Sequence, residues 1–206
     1  MRAESGDLTY RPRSRYVSTI ASWAVIAGLT AARGFEDGTV AVLRALPLAI
    51  GLGLLAWLVF WHPRVDVTDH GVTMVNPLRT VTVPWAALIN VETQYSLTLV
   101  TPGGRYRAWA APGPGRHQVL TAGNDELSGM PRTARDSRGA VAIGDLPSAP
   151  SGHVAGIVRR RWEHLAENEQ LPIGVADDTP VVAHWNRVAI ALLAVAVLGV
   201  VVVALT

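Results

Sequence analysis

The sequence predicts an α+β membrane protein. A bent sheet or barrel is capped by one C-terminal amphipathic helix and joined to three transmembrane helices, an N-terminal hairpin and a C-terminal span. Three observations carry this. Residues Arg64 to Trp109 alternate apolar and polar side chains with period two, broken by turn residues. Gly152 to Gln170 repeats apolar side chains at helical spacing. Apolar segments at 16–32, 40–61 and 188–205 flank this block.

The strand block comes first because the other segments attach to it. Val65 and Val67 alternate with Asp66 and Thr68, and Asp69-His70-Gly71 makes a tight turn in which glycine takes a φ closed to other residues. Val72 and Met74 flank Thr73, and Asn76-Pro77 is the next turn. Val81, Val83 and Trp85 share a face opposite Thr80 and Thr82, with Pro84 at the strand's end. Ile89, Val91 and Thr93 continue the pattern, followed by Leu97 and Leu99. Thr101-Pro102-Gly103-Gly104 is a hairpin signal. After it, either Tyr106 and Ala108 or Arg105, Arg107 and Trp109 face inward. About six short strands with turns at such spacing predict a meander closing on itself.

An apolar sheet face of this size needs a cover. Val154, Ile157, Val158, Trp162 and Leu165 form one helical stripe, with Arg159, Arg160, Glu163 and Glu167 expected mainly outside it. Ser151 is the expected N-cap, and Leu171-Pro172 with Gly174 stops the helix.

The run from Val67 to Trp85 resembles bacterial pleckstrin-homology-like (PH-like) domains of small membrane-anchored proteins, the low-molecular-weight protein antigen 6 type. The matching features are Asp69 and Gly71 in the first turn, Asn76 and Arg79 about the second, Pro84-Trp85, and the Leu99 to Gly104 hairpin. The resemblance covers about a quarter of the chain. It implies a PH-like fold beside transmembrane helices and no defined biochemical activity.

Composition narrows the function classes. All eighteen basic residues are arginine, which with abundant Ala, Gly and Val reads as a GC-rich genome. A net charge of +2 is too small for a nucleic-acid footprint. With no cysteine, disulfides, thiolate chemistry and Cys-containing zinc sites are excluded. His62, His70, His117, His153, His164 and His184 show no metal-ligand spacing; His153 and His164 share a helix face but stand about 16 Å apart. No nucleophile elbow or phosphate loop is present, so no catalytic residue, metal or cofactor is expected.

The apolar segments set location and orientation. Val40 to Trp61 is long enough to cross a hydrocarbon core of about 30 Å, with Arg44 near enough to its start to snorkel. Val188 to Leu205 is an unbroken apolar run about 27 Å long as a helix. Tyr16 to Ala32 is weaker, diluted by Ser18, Thr19, Ser22 and Thr30. Arg2, Arg11, Arg13 and Arg15 precede the first segment, Arg64 follows the second and Arg187 precedes the third. This asymmetry places the N-terminus and the β-module in the cytoplasm of a multi-pass plasma-membrane protein.

The expected organisation is a cytoplasmic tail at 1–15, a transmembrane hairpin at 16–61, a PH-like domain at 62–170 with a disordered Gly/Pro/Ser-rich insertion at 111–151, a linker at 171–186 and a transmembrane helix at 187–206. The expected role is a non-enzymatic scaffold or adaptor at the inner membrane face, the alternative an accessory subunit of a membrane transport or envelope-assembly complex. Expected partners are the lipid bilayer and a protein of unknown identity, not nucleic acid. The short acidic first turn at Asp69 argues against phosphoinositide binding. Arg159, Arg160 and Arg161 form the one dense charge run, read first as a solvated helix face paired with Glu163 at i,i+4 and, as the functional alternative, as a membrane-surface or partner contact.

Overall fold

The computed structural model describes residues 7–114, 143–168, 171 and 174–205. It divides into two compact units, one made of residues 1–12, 64–76 and 80–184, the other of residues 13–63, 77–79 and 185–206.

The first unit holds two antiparallel systems. One sheet has the order β1 (Leu8–Tyr10), β2 (Arg64–Val67), β3 (Gly71–Val75), β4 (Arg79–Pro84), β8 (Val182–Trp185). The other runs β5 (Asn90–Glu92), β6 (Ser96–Thr101), β7 (Gly104–Pro112). The alternation read from the sequence sets which side chains turn inward: Val65, Val67, Val72, Met74, Val81 and Val83 are buried in the first sheet, and Val91, Leu97 and Leu99 in the second. Across β3 and β4, Thr73 lies opposite Thr82 and their hydroxyls meet at 3.0 Å on the outer face. At the first turn Gly71 has φ +157°, and a Cβ there would stand 2.3 Å from the Val83 carbonyl oxygen. Beyond β7's hairpin the inward residues are Ala108 and Ala110, so Arg105, Arg107 and Trp109 face outward.

Among the described residues eight strands are formed rather than about six. The extra two, β1 and β8, come from stretches expected to be a tail and a linker. Each is only three or four residues long, too short to show a period, and each exists because a sheet edge is there to pair with. In β1, Leu8 and Tyr10 lie opposite Val67 and Val65, and the Thr9 hydroxyl donates to Asp66 at 2.8 Å.

The lid helix α3 spans Pro150–Glu167 and buries Val154, Ala155, Val158 and Leu165, with Ile157 and Trp162 packed half-buried against the same core. Two expectations need correction. Ser151 does not cap the helix: Ala149 is the N-cap, Pro150 takes the first helical position that its ring suits, and the Ser151 hydroxyl donates to the Gly144 carbonyl at 2.8 Å. Nor does Arg159 lie outside the buried face, since it is 9% exposed.

The expected insertion at 111–151 is shorter within the described residues. Ala111 and Pro112 belong to β7, and Ile143–Asp145 forms a 3-10 turn followed by buried Leu146 and Ala149. The remainder, 115–142, lies outside the described residues. Its flanks meet the same turn: the Gly113 amide donates to the Tyr95 carbonyl at 2.8 Å, and Gly144 packs against Thr93.

The second unit contains α1 (Ser14–Asp37), α2 (Thr39–Ala56, continued by a π turn at Trp57–Trp61) and α4 (Arg187–Leu205). The helix expected to end near Ala32 runs to Asp37, and Gly38, at φ +79°, makes the reversal alone. Trp23 Nε1 donates to the Gly53 carbonyl at 3.0 Å while Gly34 meets Val42, so α1 and α2 run antiparallel. Gly51 abuts Ala196 and Gly199 abuts Pro47, which sets α4 antiparallel to α2 through small residues. Asn186 caps α4, its side-chain oxygen accepting from the Ala189 amide at 3.2 Å. Among the described residues, one helix, Thr39–Trp61 with 23 residues, is long and apolar enough to cross a membrane; Arg187–Val203 is a shorter apolar helix.

Candidate functional site

The three consecutive arginines of α3 point three ways, because successive helical residues are rotated by about 100°. Arg159 is buried. Its Nη1 donates to Asp145 Oδ1 at 2.7 Å and its Nη2 to the Val91 carbonyl at 2.7 Å, while the Thr93 hydroxyl donates to the same Asp145 oxygen at 2.8 Å. A charge withdrawn from water needs such partners. Arg159 therefore serves the interior and is not a surface contact. Arg160 is exposed. Arg161 is half-buried and pairs with Asp69 of the first turn.

Beside the C-terminal half of α3 lies an apolar groove of about 230 Å³, lined among others by Trp85, Leu88, Trp162, Ala166 and Leu171. Trp85 forms its floor. Pro84 ends β4 and turns the chain into the 3-10 segment Trp85–Ala87, which buries the indole and lets its Nε1 donate to the Thr68 carbonyl at 3.0 Å. Trp162 supplies a half-buried wall. The volume is below the usual small-molecule range of roughly 300–1,000 Å³.

A second surface is the outer face of β7. Arg105 pairs with Glu92, Arg107 is exposed, and Trp109 is 58% exposed, with Tyr95 exposed as well. The β7 backbone is met by a side chain: Asn76 Nδ2 donates to the Arg107 carbonyl at 2.8 Å and Asn76 Oδ1 accepts from the Trp109 amide at 2.8 Å. An amide side chain presents the donor and acceptor of a backbone peptide, so Asn76 stands in for a neighbouring strand.

Among the described residues no group of three or more His, Asp or Glu side chains is placed to hold a metal. His153 stacks near Tyr10 at 5.9 Å between ring centroids, and His164 lies beside Asn168. The arrangement offers an apolar groove, exposed cationic and aromatic side chains, and a buried ion pair that fixes the lid.

Sequence reading found Trp85, Trp162 and the arginine run. It missed Asp145 and Thr93, which carry no local signal: one acid in a Gly- and Pro-rich stretch and one threonine among many. Asn76 was legible only as a turn residue.

No curated protein and no solved structure matches this chain. Residues 62–142 match the family described as Bacterial PH domain, a span that begins at the end of α2 and contains β2 to β7. The two antiparallel systems closed by one helix accord with that match, and the chain carries a bacterial PH-like domain.

Proposed function

We propose that the protein is a non-enzymatic scaffold or adaptor, anchored in the plasma membrane by three helices, with its PH-like domain on the cytoplasmic side. The observation behind the membrane setting is the apolar exterior of the helical unit. Val17 of α1 is 73% exposed and Val195 of α4 is 67% exposed, and Val40, Leu43 and Ile50 of α2 are exposed too. Such a surface exceeds what water tolerates on a monomer and suits lipid. The arginine asymmetry supports the orientation.

In this reading the working surface is the groove by α3. An apolar side chain of a partner segment enters between Trp85 and Trp162, and the exposed Arg160 of the same helix meets acidic groups of the partner or of the lipid surface. The test is topology and capture together. Reporter fusions at residue 1 and within 115–142 are expected to report cytoplasm, and a fusion after Thr206 the exterior. Affinity purification in mild detergent is then expected to recover a partner with the full chain and lose it with Trp162→Glu.

A second reading, an accessory subunit of a membrane complex, draws on the helical unit. An apolar groove of about 930 Å³ lies between α1 and α2 with Leu192 of α4 on its wall, wide enough for a partner helix. It predicts that the helices alone retain the partner.

A further inference from the structure

Among the described residues, the buried side-chain nitrogen and oxygen atoms with no hydrogen-bond partner are three: Arg15 Nε, Arg15 Nη1 and Thr19 Oγ1. All belong to the first turns of α1, four residues apart and hence on one helix face. Folded proteins rarely leave such atoms unmatched, and an uncompensated buried donor is costly. Three in one place mark a site whose acceptor comes from outside the described residues.

The surroundings specify that acceptor. Two of the atoms belong to a guanidinium, which only donates, and the third is a hydroxyl that can donate. The start of α1 adds the positive end of a helix dipole: its N-cap, Arg13, makes no side-chain capping bond, and the first turn holds no acidic residue. The group sought is therefore an oxyanion. The guanidinium carbon lies 4.5 Å from the Tyr16 ring centre and 5.0 Å from that of Trp61, and the two rings meet edge to face at 5.2 Å. A Tyr–Trp pair holding an arginine at the end of a helical hairpin is the chemistry of the bilayer–water boundary.

We propose that Arg15, Thr19, Tyr16 and Trp61 form a binding site for the phosphate of an anionic phospholipid headgroup. The inference rests on the membrane setting proposed above. The phosphate oxygens accept from Arg15 and Thr19, and the two rings flank the glycerol region. Thr19 is 2% exposed, so entry needs a movable wall. Tyr16 supplies it: the residue is 47% exposed, its hydroxyl accepts from Arg15 Nη2 at 2.6 Å, and rotation of an exposed side chain takes picoseconds to nanoseconds.

The experiment uses the full chain purified in a mild nonionic detergent. Thermal unfolding is followed while phosphatidylglycerol, a diacylglycerol with the same chains, or inorganic phosphate is titrated in. Phosphatidylglycerol is expected to raise Tm and the other two to leave it unchanged. Arg15→Gln is expected to weaken the apparent affinity for phosphatidylglycerol about tenfold or more, the scale of one lost charge-assisted hydrogen bond. Thr19→Val is expected to raise Tm without lipid, because it removes an unmatched hydroxyl at constant shape, and yet to reduce the response to phosphatidylglycerol. A purely structural role for Thr19 does not produce that opposition. An equal response to diacylglycerol, or to inorganic phosphate alone, overturns the assignment to a lipid phosphate. So does an undiminished response in Arg15→Gln. Alkaline carbonate extraction of membranes tests the setting separately. A chain that stays in the pellet but ignores phosphatidylglycerol refutes this site alone, whereas a chain released to the supernatant refutes the anchored reading itself.

Discussion

Arg159 and Asp145 form a buried ion pair, Nη1 to Oδ1 at 2.7 Å, that joins the middle of the lid helix to the 3-10 turn preceding it. The pair is completed by Thr93 on the acid and the Val91 carbonyl on the guanidinium. Removing one partner strands the other charge in the core, which typically costs about 3–5 kcal/mol. Asp145→Ala is therefore expected to destabilise the chain on that scale, while Arg160→Ala, at an exposed position, changes stability by less than about 0.5 kcal/mol. Urea unfolding of the full chain in mild detergent measures both, and similar shifts for the two would contradict the inward placement of Arg159.

The two tryptophans of the groove are expected to differ. Trp85 is buried and its Nε1 is bonded, so Trp85→Ala is expected to cost about 3–5 kcal/mol. Trp162 is half-buried, and Trp162→Ala is expected to cost about half as much because area removed from water scales the loss. The same unfolding measurement ranks them; an equal or larger loss at Trp162 would mean that its ring sits deeper than the groove geometry allows.

Gly144 is needed for contact, not for its φ. A Cβ at this position would lie 1.9 Å from the Thr93 carbonyl oxygen, so the turn that carries Asp145 must move away from β5. Gly144→Ala is expected to destabilise by about 1–3 kcal/mol or more. It is also expected to be non-additive with Asp145→Ala, since both act on one latch. A double-mutant cycle reads this directly, and simple additivity would separate the two.

Where a deletion in the middle of the chain stops should decide its effect. Gly113 and Gly144, which flank 115–142, both touch the Thr93–Tyr95 turn and so lie close together. A flexible link of about ten residues spans such a gap, and loop closure changes by only about 0.6 kcal/mol per halving of length. Replacing 115–142 by that link is expected to keep Tm within a few degrees. Extending the deletion through 150 removes Asp145, Leu146 and Ala149 from the interior and is expected to abolish cooperative melting. Equal melting of both variants would show that the latch is dispensable.

Strand β1 covers the edge of β2. Deleting residues 1–10 unpairs that edge and is expected to speed amide exchange in β2 while leaving the β5–β7 sheet protected. Unchanged exchange at Val65 and Val67 would show that the edge gains nothing from β1.

The sequence by itself determined what repeats along the chain. Alternation from Val65 to Val83 and at Val91, Leu97 and Leu99 marked which side chains enter the core, but Ile89, read as part of that pattern, is exposed and Leu88 is buried instead, because the 3-10 segment Trp85–Ala87 interrupts the period of two. The Thr101 to Gly104 turn marked a hairpin, and helical spacing from Val154 to Leu165 identified the lid and its apolar stripe. These signals are local: a period of two or 3.6 is visible wherever several residues in a row obey it. Tertiary structure decided what depends on partners far away in the chain. Arg159 reads as a surface charge by type and turns inward only because Asp145 and the Val91 carbonyl wait there. Leu8–Tyr10 and Val182–Trp185 become strands only because β2 and β4 leave edges open. Arg105, Arg107 and Trp109 face out because the alternate side chains, Tyr106, Ala108 and Ala110, are the ones that pack against the core. In each case the deciding energy is a pairing between groups distant in sequence, which no window along the chain contains.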